Sequence, residues 1–201
     1  MSGWPEADSR VLVVCRLPSS TALRLSETPA VLAPMLKLRF FSGPSVKRYN
    51  ARMLQLFSEM LFTGSEPVMI VPVRTLTAVR QIVPDVSAVA ELCQRFGANG
   101  MMVFTTMTVE QSSHVHTRMF APLIGIVEDP ATGSASGALG AYLVQHGAVD
   151  VGEISDITSE QGYEIERPSR IFIRVMSEDD AIQGVTVGGQ AVMLVEGSLS
   201  F

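Results

Sequence analysis

The feature that most constrains the fold is a helical segment, residues 134–146 (SASGALGAYLVQH), that is apolar on nearly every side. Leu139, Tyr142 and Leu143 recur at helical spacing, and most of the other positions hold small residues. A helix that is apolar all round is normally buried on all sides. We therefore expect a central helix with a sheet curled around it.

The segments on either side of this helix predict many strands and few further helices. Strands are expected at residues 10–17, 21–25, 67–73, 100–106 and 114–120 (the last two as a hairpin), and then at 157–161, 163–166, 170–175, 184–188 and 191–197. Helices are expected over residues 46–61, 76–82 and 86–96. Asp85 caps the last of these and Gly97 ends it. This order predicts an α+β fold with a largely antiparallel sheet.

Composition excludes several classes of function. The 201 residues carry a formal net charge of -5, which argues against a nucleic-acid-binding protein. No apolar run approaches the length of about 20 residues that a membrane span needs, and residues 1–10 do not resemble a signal peptide. We therefore expect a cytoplasmic protein. Only 17% of the residues are charged, which suggests a surface that a partner covers.

Cysteine and histidine offer two further candidates for chemistry. Cys15 and Cys93 are too few for a disulfide framework, and we expect both to be buried free thiols. His114 and His116 share one face of a predicted strand, but zinc needs three or four ligands and no third ligand lies at a suitable spacing. We therefore expect exposed strand histidines and no metal site.

The stretch that carries chemistry is the loop before the central helix, residues 128–137 (EDPATGSASG). Backbone N–H groups of residues 133–136 at the helix start, together with the helix dipole, would bind an anion such as a carboxylate. Asp129 lies just before them and suits proton transfer. A plainer interpretation fits the same residues: Thr132 or Ser134 is only the N-cap of the helix, and the rest is an ordinary turn.

Residues 118–137 (RMFAPLIGIVEDPATGSASG) closely resemble the signature of the PhzF family of cofactor-independent isomerases, whose fold is similar to that of diaminopimelate epimerase. Residues 63–85 and 188–199 resemble other parts of that family less tightly. The resemblance implies two similar domains, each a curved sheet around a central helix, with the active site between them. It also implies that Asp129 shuttles protons, that Gly133 and Ser134 bind the substrate, and that no metal or organic cofactor is needed.

The sequence departs from the family pattern in its first part. The family's first domain supplies a catalytic Glu in a Leu-Ser-Glu-Thr segment and a Gly-His pair. Residues 25–28 read LSET, so one register assigns that role to Glu27. In the register that we favour, residues 2–29 match the last strands of the first domain, and the Glu and the Gly-His pair are absent; no Gly-His pair occurs in the 201 residues.

The favoured register divides the chain into three parts. Residues 1–30 would be remnant strands of the N-terminal domain, residues 31–185 the C-terminal domain, and residues 186–201 closing strands that pack on the remnant. The resemblance implies an isomerase that transfers a proton at carbon in a small carboxylate metabolite and is incomplete without first-domain residues. The alternative is a degenerate or truncated homologue that binds an anion or a protein. In either case we expect a homodimer or a complementary subunit.

Overall fold

A computed structural model describes residues 11–17, 23–24, 59–63, 66–179 and 181–191 of the chain, with side chains for residues 67–179 and 181–191. The strands in these ranges are β1 (Val11–Leu17), β2 (Leu23–Arg24), β3 (Glu59–Thr63), β4 (Glu66–Pro72), β5 (Gly100–Thr105), β6 (Val115–Ala121), β7 (Ile126–Asp129), β8 (Ile154–Gln161), β9 (Ser169–Glu178) and β10 (Ala181–Ala191). The helices are α1 (Leu76–Arg80), α2 (Val86–Phe96) and α3 (Gly133–Gln145). Short 3₁₀ turns lie at Pro122–Ile124 and Tyr163–Ile165.

All of these strands join one sheet. The order is β1-β10-β9-β8-β6-β5-β4-β3-β2, and β7 is added on β6. The pairings are antiparallel except for β4 with β5 and β6 with β8. The two outer strands, β1 and β2, are joined by residues 18–22, and so short a link spans at most about 20 Å. The sheet therefore curls until its two edges face each other.

Helix α3 lies inside this curl. Every residue from Ala135 to Val144 is buried, and the helix contacts β3, β4, β8, β9 and β10. Small residues allow the sheet to approach closely: a Cβ on Gly140 would overlap the Ile173 side chain of β9. The prediction of a central helix wrapped by a sheet is confirmed.

Helices α1 and α2 cover the outer face of the sheet. Val79, Val89 and Cys93 pack there against Met101 and Phe120, which project outward from β5 and β6. Alternation along a strand sends neighbouring residues to opposite faces, so β5 and β6 are buried on both sides. The central part of the sheet is thus a middle layer between α3 on the inner face and α1 and α2 on the outer face.

The α+β class and the largely antiparallel sheet are confirmed, and the hairpin of β5 and β6 is formed as predicted. Two local predictions are wrong. Residues 59–61, predicted as the end of a helix, belong to strand β3, and the rest of that segment lies outside the described residues. Residues 163–166, predicted as a strand, form a 3₁₀ turn because Gly162 (φ 83°) and Glu166 (φ 58°) both adopt left-handed backbone conformations.

The predicted division into three parts stays a prediction. Its first part contains β1, which pairs with β10 near the C-terminal end of the described chain. Of the strand predicted at 191–197, only residue 191 lies within the described range. Among the described residues, no helix is long and apolar enough to cross a membrane.

Candidate functional site

The site is built where two strands meet end to end along one edge of β6. Strand β8 pairs with the first part of β6, in a register that places Gln161 opposite Thr117. Strand β7 pairs with the last part, where Asp129 lies opposite Met119. The final residues of β7 and β8 therefore come together although 32 positions separate them in the sequence.

A hydrogen-bonded group of three side chains occupies this junction. The Thr132 hydroxyl donates to Asp129 Oδ2 at 2.6 Å. The amide nitrogen of Gln161 donates to the Asp129 carbonyl oxygen at 2.6 Å and to Thr132 Oγ1 at 3.0 Å. Gln161 Oε1 accepts from the Thr132 backbone N–H at 3.3 Å. Asp129 and Thr132 are half-buried, and Gln161 is fully buried. Asp129 is therefore partly accessible to solvent, while the glutamine that supports it is not.

The start of α3 lies beside this carboxylate and is not capped by a side chain. Thr132 occupies the N-cap position, but its hydroxyl makes no capping hydrogen bond because it is turned to Asp129. A helix leaves its first N–H groups without internal partners. Within the described residues, those of Gly133, Ser134 and Ala135 have no acceptor, and Gly133 and Ser134 are exposed.

The predicted site residues Asp129, Gly133 and Ser134 are thus brought together at one end of α3. One detail of the prediction is wrong: the N–H of Ser136 is not free, because it donates to the Thr132 carbonyl at 3.3 Å. The Ser136 hydroxyl donates to that carbonyl as well, at 2.6 Å.

Gly162 supports the loop next to Gln161. Its φ of 83° is one that side-chain-bearing residues rarely adopt. A Cβ there would overlap the carbonyl oxygens of Pro130 and Arg167. Glycine is therefore required for this corner to lie directly against the 129–132 loop.

The residues that precede Gln161 and Asp129 point to the opposite, outer face and form a buried ionic cluster. His116 is fully buried, with Nδ1 2.7 Å from Glu160 Oε1 and Nε2 3.0 Å from Glu164 Oε1. Glu160 also accepts the backbone N–H groups of Val109 and Glu110, at 2.6 and 3.0 Å. Because two carboxylates flank one imidazole, this cluster favours a charged histidine.

Arg118 ties the same cluster to β7 and α1. Its guanidinium makes two hydrogen bonds with the Glu128 carboxylate, at 2.8 and 2.7 Å. It also donates to the carbonyl oxygens of Val79 and Ile82, at 3.0 and 2.8 Å. Arg118 is 4% exposed on the outer face, so its ion pair with Glu128 is buried.

The electrostatics of the cluster follow from these contacts. Burial opposes the charged imidazolium, but the hydrogen bonds and negative charge of Glu164 and Glu160 outweigh it and raise the pKa of His116. Burial likewise opposes the Glu164 carboxylate, but the hydrogen bond and charge of His116 prevail and lower the pKa of that carboxyl. The two ring nitrogens face different carboxylates, so the three groups do not converge on one point. In the described part of the chain, no group of three or more His, Cys, Asp or Glu side chains is arranged to hold a metal ion.

Two sequence-based interpretations can be settled here, those of His116 and Cys93. His116 was expected to be exposed, and this is wrong. Cys93 is a buried free thiol as predicted, and burial raises its pKa to about 11. The Cys15 side chain lies outside the described residues. Gln161 and Gly162 were missed, because their role depends on the junction of β7 and β8; the one available signal was a glutamine–glycine pair at the end of a predicted strand.

Comparison with known proteins agrees with this architecture. The family model of phenazine biosynthesis-like proteins (PhzC-PhzF) matches residues 9–197. A crystal structure of the Bacillus anthracis phenazine biosynthesis protein of the PhzF family superposes with a TM-score of 0.68 at 19% identity, over 90% of this chain and 61% of that one. A PhzF-family structure from Enterococcus faecalis gives a TM-score of 0.53 at 18% identity, over 90% of this chain and 58% of that one. These likenesses show the fold.

Similar curated proteins include the uncharacterized isomerase YddE of Escherichia coli K12, 35% identical over 133 residues, which are 66% of this chain and 44% of that protein. A trans-2,3-dihydro-3-hydroxyanthranilate isomerase of Pseudomonas chlororaphis is 42% identical over 83 residues, 41% of this chain and 29% of that protein. The chain spans about half the length of the first curated relatives that it matches.

Proposed function

The chain belongs to the phenazine biosynthesis-like (PhzF) protein family, and on that premise we propose that it acts as an isomerase on a small carboxylate-bearing metabolite by moving a proton at carbon. Asp129 transfers the proton, and the N–H groups of Gly133 and Ser134 hold the carboxylate. The names of the relatives support this proposal, since they are named isomerases and one is named for trans-2,3-dihydro-3-hydroxyanthranilate, which carries a carboxylate.

One observation carries the assignment of residues. Thr132 is placed to cap α3 and instead donates to Asp129 Oδ2 at 2.6 Å. The capping position thus orients a carboxylate, while the first N–H groups of the helix stay available to an anion. An arrangement that served helix stability alone would use the hydroxyl as a cap.

The geometry also suits the charge changes of such a reaction. When a proton leaves a carbon conjugated with a carboxylate, negative charge spreads onto the carboxylate oxygens. The N–H groups of Gly133 and Ser134 and the positive end of the α3 dipole then bind the reacting molecule more strongly than its ground state. Asp129, on the same side of the helix start, is the acceptor for that proton.

The test is proton exchange with solvent. The 201-residue chain is incubated in D₂O with trans-2,3-dihydro-3-hydroxyanthranilate, and deuterium at carbon is followed by ¹H NMR. Asp129→Asn is expected to lower the exchange rate at least roughly 100-fold, because it removes the proton-transfer group. Asp150→Asn, the same change in an exposed residue beyond the other end of α3, is the matched control and should retain the rate.

Binding is measured in parallel through the amide resonances of residues 133–135. Saturable shifts without exchange, at protein concentrations at which the chain has self-associated, would favour the alternative, an anion-binding homologue that does not turn over. Exchange that survives Asp129→Asn would refute the role of Asp129, and an absence of shifts at Gly133 and Ser134 would refute theirs.

We also propose that a second copy or a complementary subunit completes the site. Four apolar residues beside β6 and β7 support this, because they are exposed in the single chain: Leu123, Ile124, Ile126 and Val127. Light scattering over a range of protein concentrations tests the point. Ile124→Ser combined with Val127→Ser should shift the mass toward the monomer, and a wild-type chain that stays monomeric when concentrated and when mixed with candidate subunits would contradict it.

A further inference from the structure

We propose that Gln161 is the positioning residue of this site: it fixes the direction of the Thr132 hydroxyl hydrogen bond and thereby the place of the Asp129 carboxylate. The inference rests on the proposed function for its catalytic consequence. Its geometric part concerns only the described residues and can be tested without turnover.

The orientation of the Gln161 amide follows from its neighbours. The backbone N–H of Thr132 can only donate, so the group that faces it at 3.3 Å is the amide oxygen. The carbonyl oxygen of Asp129 can only accept, so the group that faces it at 2.6 Å is the amide nitrogen. Both contacts agree on one orientation of the side chain.

This orientation in turn sets the Thr132 hydroxyl. The amide nitrogen donates its second hydrogen to Thr132 Oγ1 at 3.0 Å and cannot accept one in return. The hydroxyl must therefore place its own hydrogen elsewhere, and Asp129 Oδ2 lies 2.6 Å away. A directed chain results, from Gln161 through Thr132 to the carboxylate.

Gln161 is well suited to hold this chain. Its side chain is fully buried, which excludes direct contact with a substrate, and all of its amide hydrogens are used within the 129–132 loop. The next residue, Gly162, has no Cβ and so lies against the Pro130 carbonyl of the same loop. The residue before it, Glu160, is held on the other face by His116 and by two backbone N–H groups. Loop and strand end are thus fixed to each other from both sides.

The first test needs no substrate. In the 201-residue chain, scalar couplings report the χ1 rotamer of Thr132, and hydrogen exchange reports the protection of its amide. Gln161→Leu is expected to average the couplings and to speed the exchange, because the donors and the acceptor are lost. Gln161→Glu keeps the acceptor and should keep the amide protected while loosening the rotamer. Gln145→Leu, an exposed residue near the end of α3, is the matched control and should change neither.

The second test separates positioning from binding and from folding. Because Gln161 does not reach the substrate, Gln161→Leu should lower kcat for the exchange reaction by roughly 100-fold while KM changes little, as expected for a misplaced catalytic group. In Gln161→Glu, the ratio of variant to wild-type kcat should rise as the pH falls, since the introduced carboxyl regains a donor when protonated. A role in folding alone would give no such recovery.

The outcomes distinguish this inference from the proposed function. If Asp129→Asn keeps full exchange activity while the Thr132 rotamer still depends on Gln161, the proposed function fails and the geometric inference stands. If Gln161→Glu and Gln161→Leu leave the rotamer and amide protection as in the wild type, the inference is overturned whatever the activity. If Gln161→Leu does not fold, Gln161→Glu and Thr132→Val are compared instead. Thr132→Val should lower kcat as much as Gln161→Glu does at neutral pH. A wild-type kcat in both variants would overturn the inference.

Discussion

Helices α2 and α3 pack on opposite faces of one sheet, and they begin in different ways. At the start of α2, the Asp85 carboxylate accepts the N–H of Ala88 at 3.0 Å, as an N-cap does. At the start of α3, the Thr132 hydroxyl is directed away from the helix, to Asp129. The start of α2 thus has a side-chain acceptor for one of its first N–H groups, whereas the start of α3 has none. The proposed anion site at the start of α3 depends on this difference.

The inner and outer faces of the sheet also differ in the contacts that stabilise them. On the inner face, α3 is surrounded by apolar side chains and is buried over ten consecutive residues, from Ala135 to Val144. On the outer face, α2 buries only Val89 and Cys93, and the ionic cluster around His116 lies on that same face of the sheet. Because Glu128 and Glu160 each precede a residue of the site, the outer cluster fixes the strand ends from which Asp129 and Gln161 project.

The largest decrease in the free energy of unfolding is expected from removing the His116 imidazolium at the centre of the outer ionic cluster. His116→Leu leaves the buried carboxylates of Glu160 and Glu164 without their shared cation, and should lower the free energy of unfolding by about 3 kcal/mol near pH 5.5. Urea denaturation measures this. His114→Leu is the matched control: His114 is exposed and accepts one hydrogen bond from the Thr158 N–H, so about 1 kcal/mol or less is expected.

The pH dependence of this difference has a definite sign. The pKa of His116 is raised in the folded state, so its stabilisation is complete below the unfolded value of 6.5 and is lost as the pH rises through the folded value. The pKa of Glu164 is lowered, so its contribution is present above the unfolded value of 4.5 and is lost as the pH falls. The difference in unfolding free energy between wild type and His116→Leu should therefore be widest between these two values and should narrow as the pH rises through the folded-state pKa of His116. If this difference in unfolding free energy widened with rising pH, the His116 imidazole would not be held in its charged form.

A smaller decrease in the free energy of unfolding is expected from a substitution in α3, inside the curl of the sheet. A Cβ on Gly140 would overlap Ile173, so Gly140→Ala should lower the free energy of unfolding by about 2 kcal/mol. Gly133→Ala makes the same change in the same helix where no atom lies within 4 Å of the new Cβ, and should cost less than about 0.5 kcal/mol. Equal effects at the two positions would mean that α3 is not tightly enclosed by the sheet.

The sequence predicted what depends on neighbouring residues. The period of apolar residues and the flanking Asp85 and Gly97 predicted α2 with its observed bounds, and the run of small apolar residues predicted that α3 is central. The loop before α3 contained Asp129, Gly133 and Ser134 within six positions, so these candidate site residues could be identified locally. These features need no knowledge of how distant strands pair.

What the sequence did not predict depends on long-range pairing. Gln161 meets Asp129 only because β7 and β8 share one edge of β6, and His116 is buried only because Glu160 and Glu164 come from that same distant segment. The wrong prediction for residues 59–61 has the same cause. The amphipathic pattern of residues 46–61 suited a helix, but residues 59–61 pair with β4 and therefore form a strand. Sheet pairing thus overrode local preference at these positions.

The smallest expected change in the free energy of unfolding concerns the starts of α2 and α3. Asp85→Ala removes the only side-chain cap of α2 and should lower the free energy of unfolding by about 1 kcal/mol. Ser134 was the alternative cap of α3, but it is exposed and lies inside the helix, beyond the N-cap position, so Ser134→Ala should cost less than about 0.5 kcal/mol. Urea denaturation of both variants gives the comparison. If Ser134→Ala costs as much as Asp85→Ala, then α3 is capped like α2 and the open helix start, on which the proposed anion site depends, does not exist; if it costs little, the start of α3 lacks the side-chain cap that α2 has.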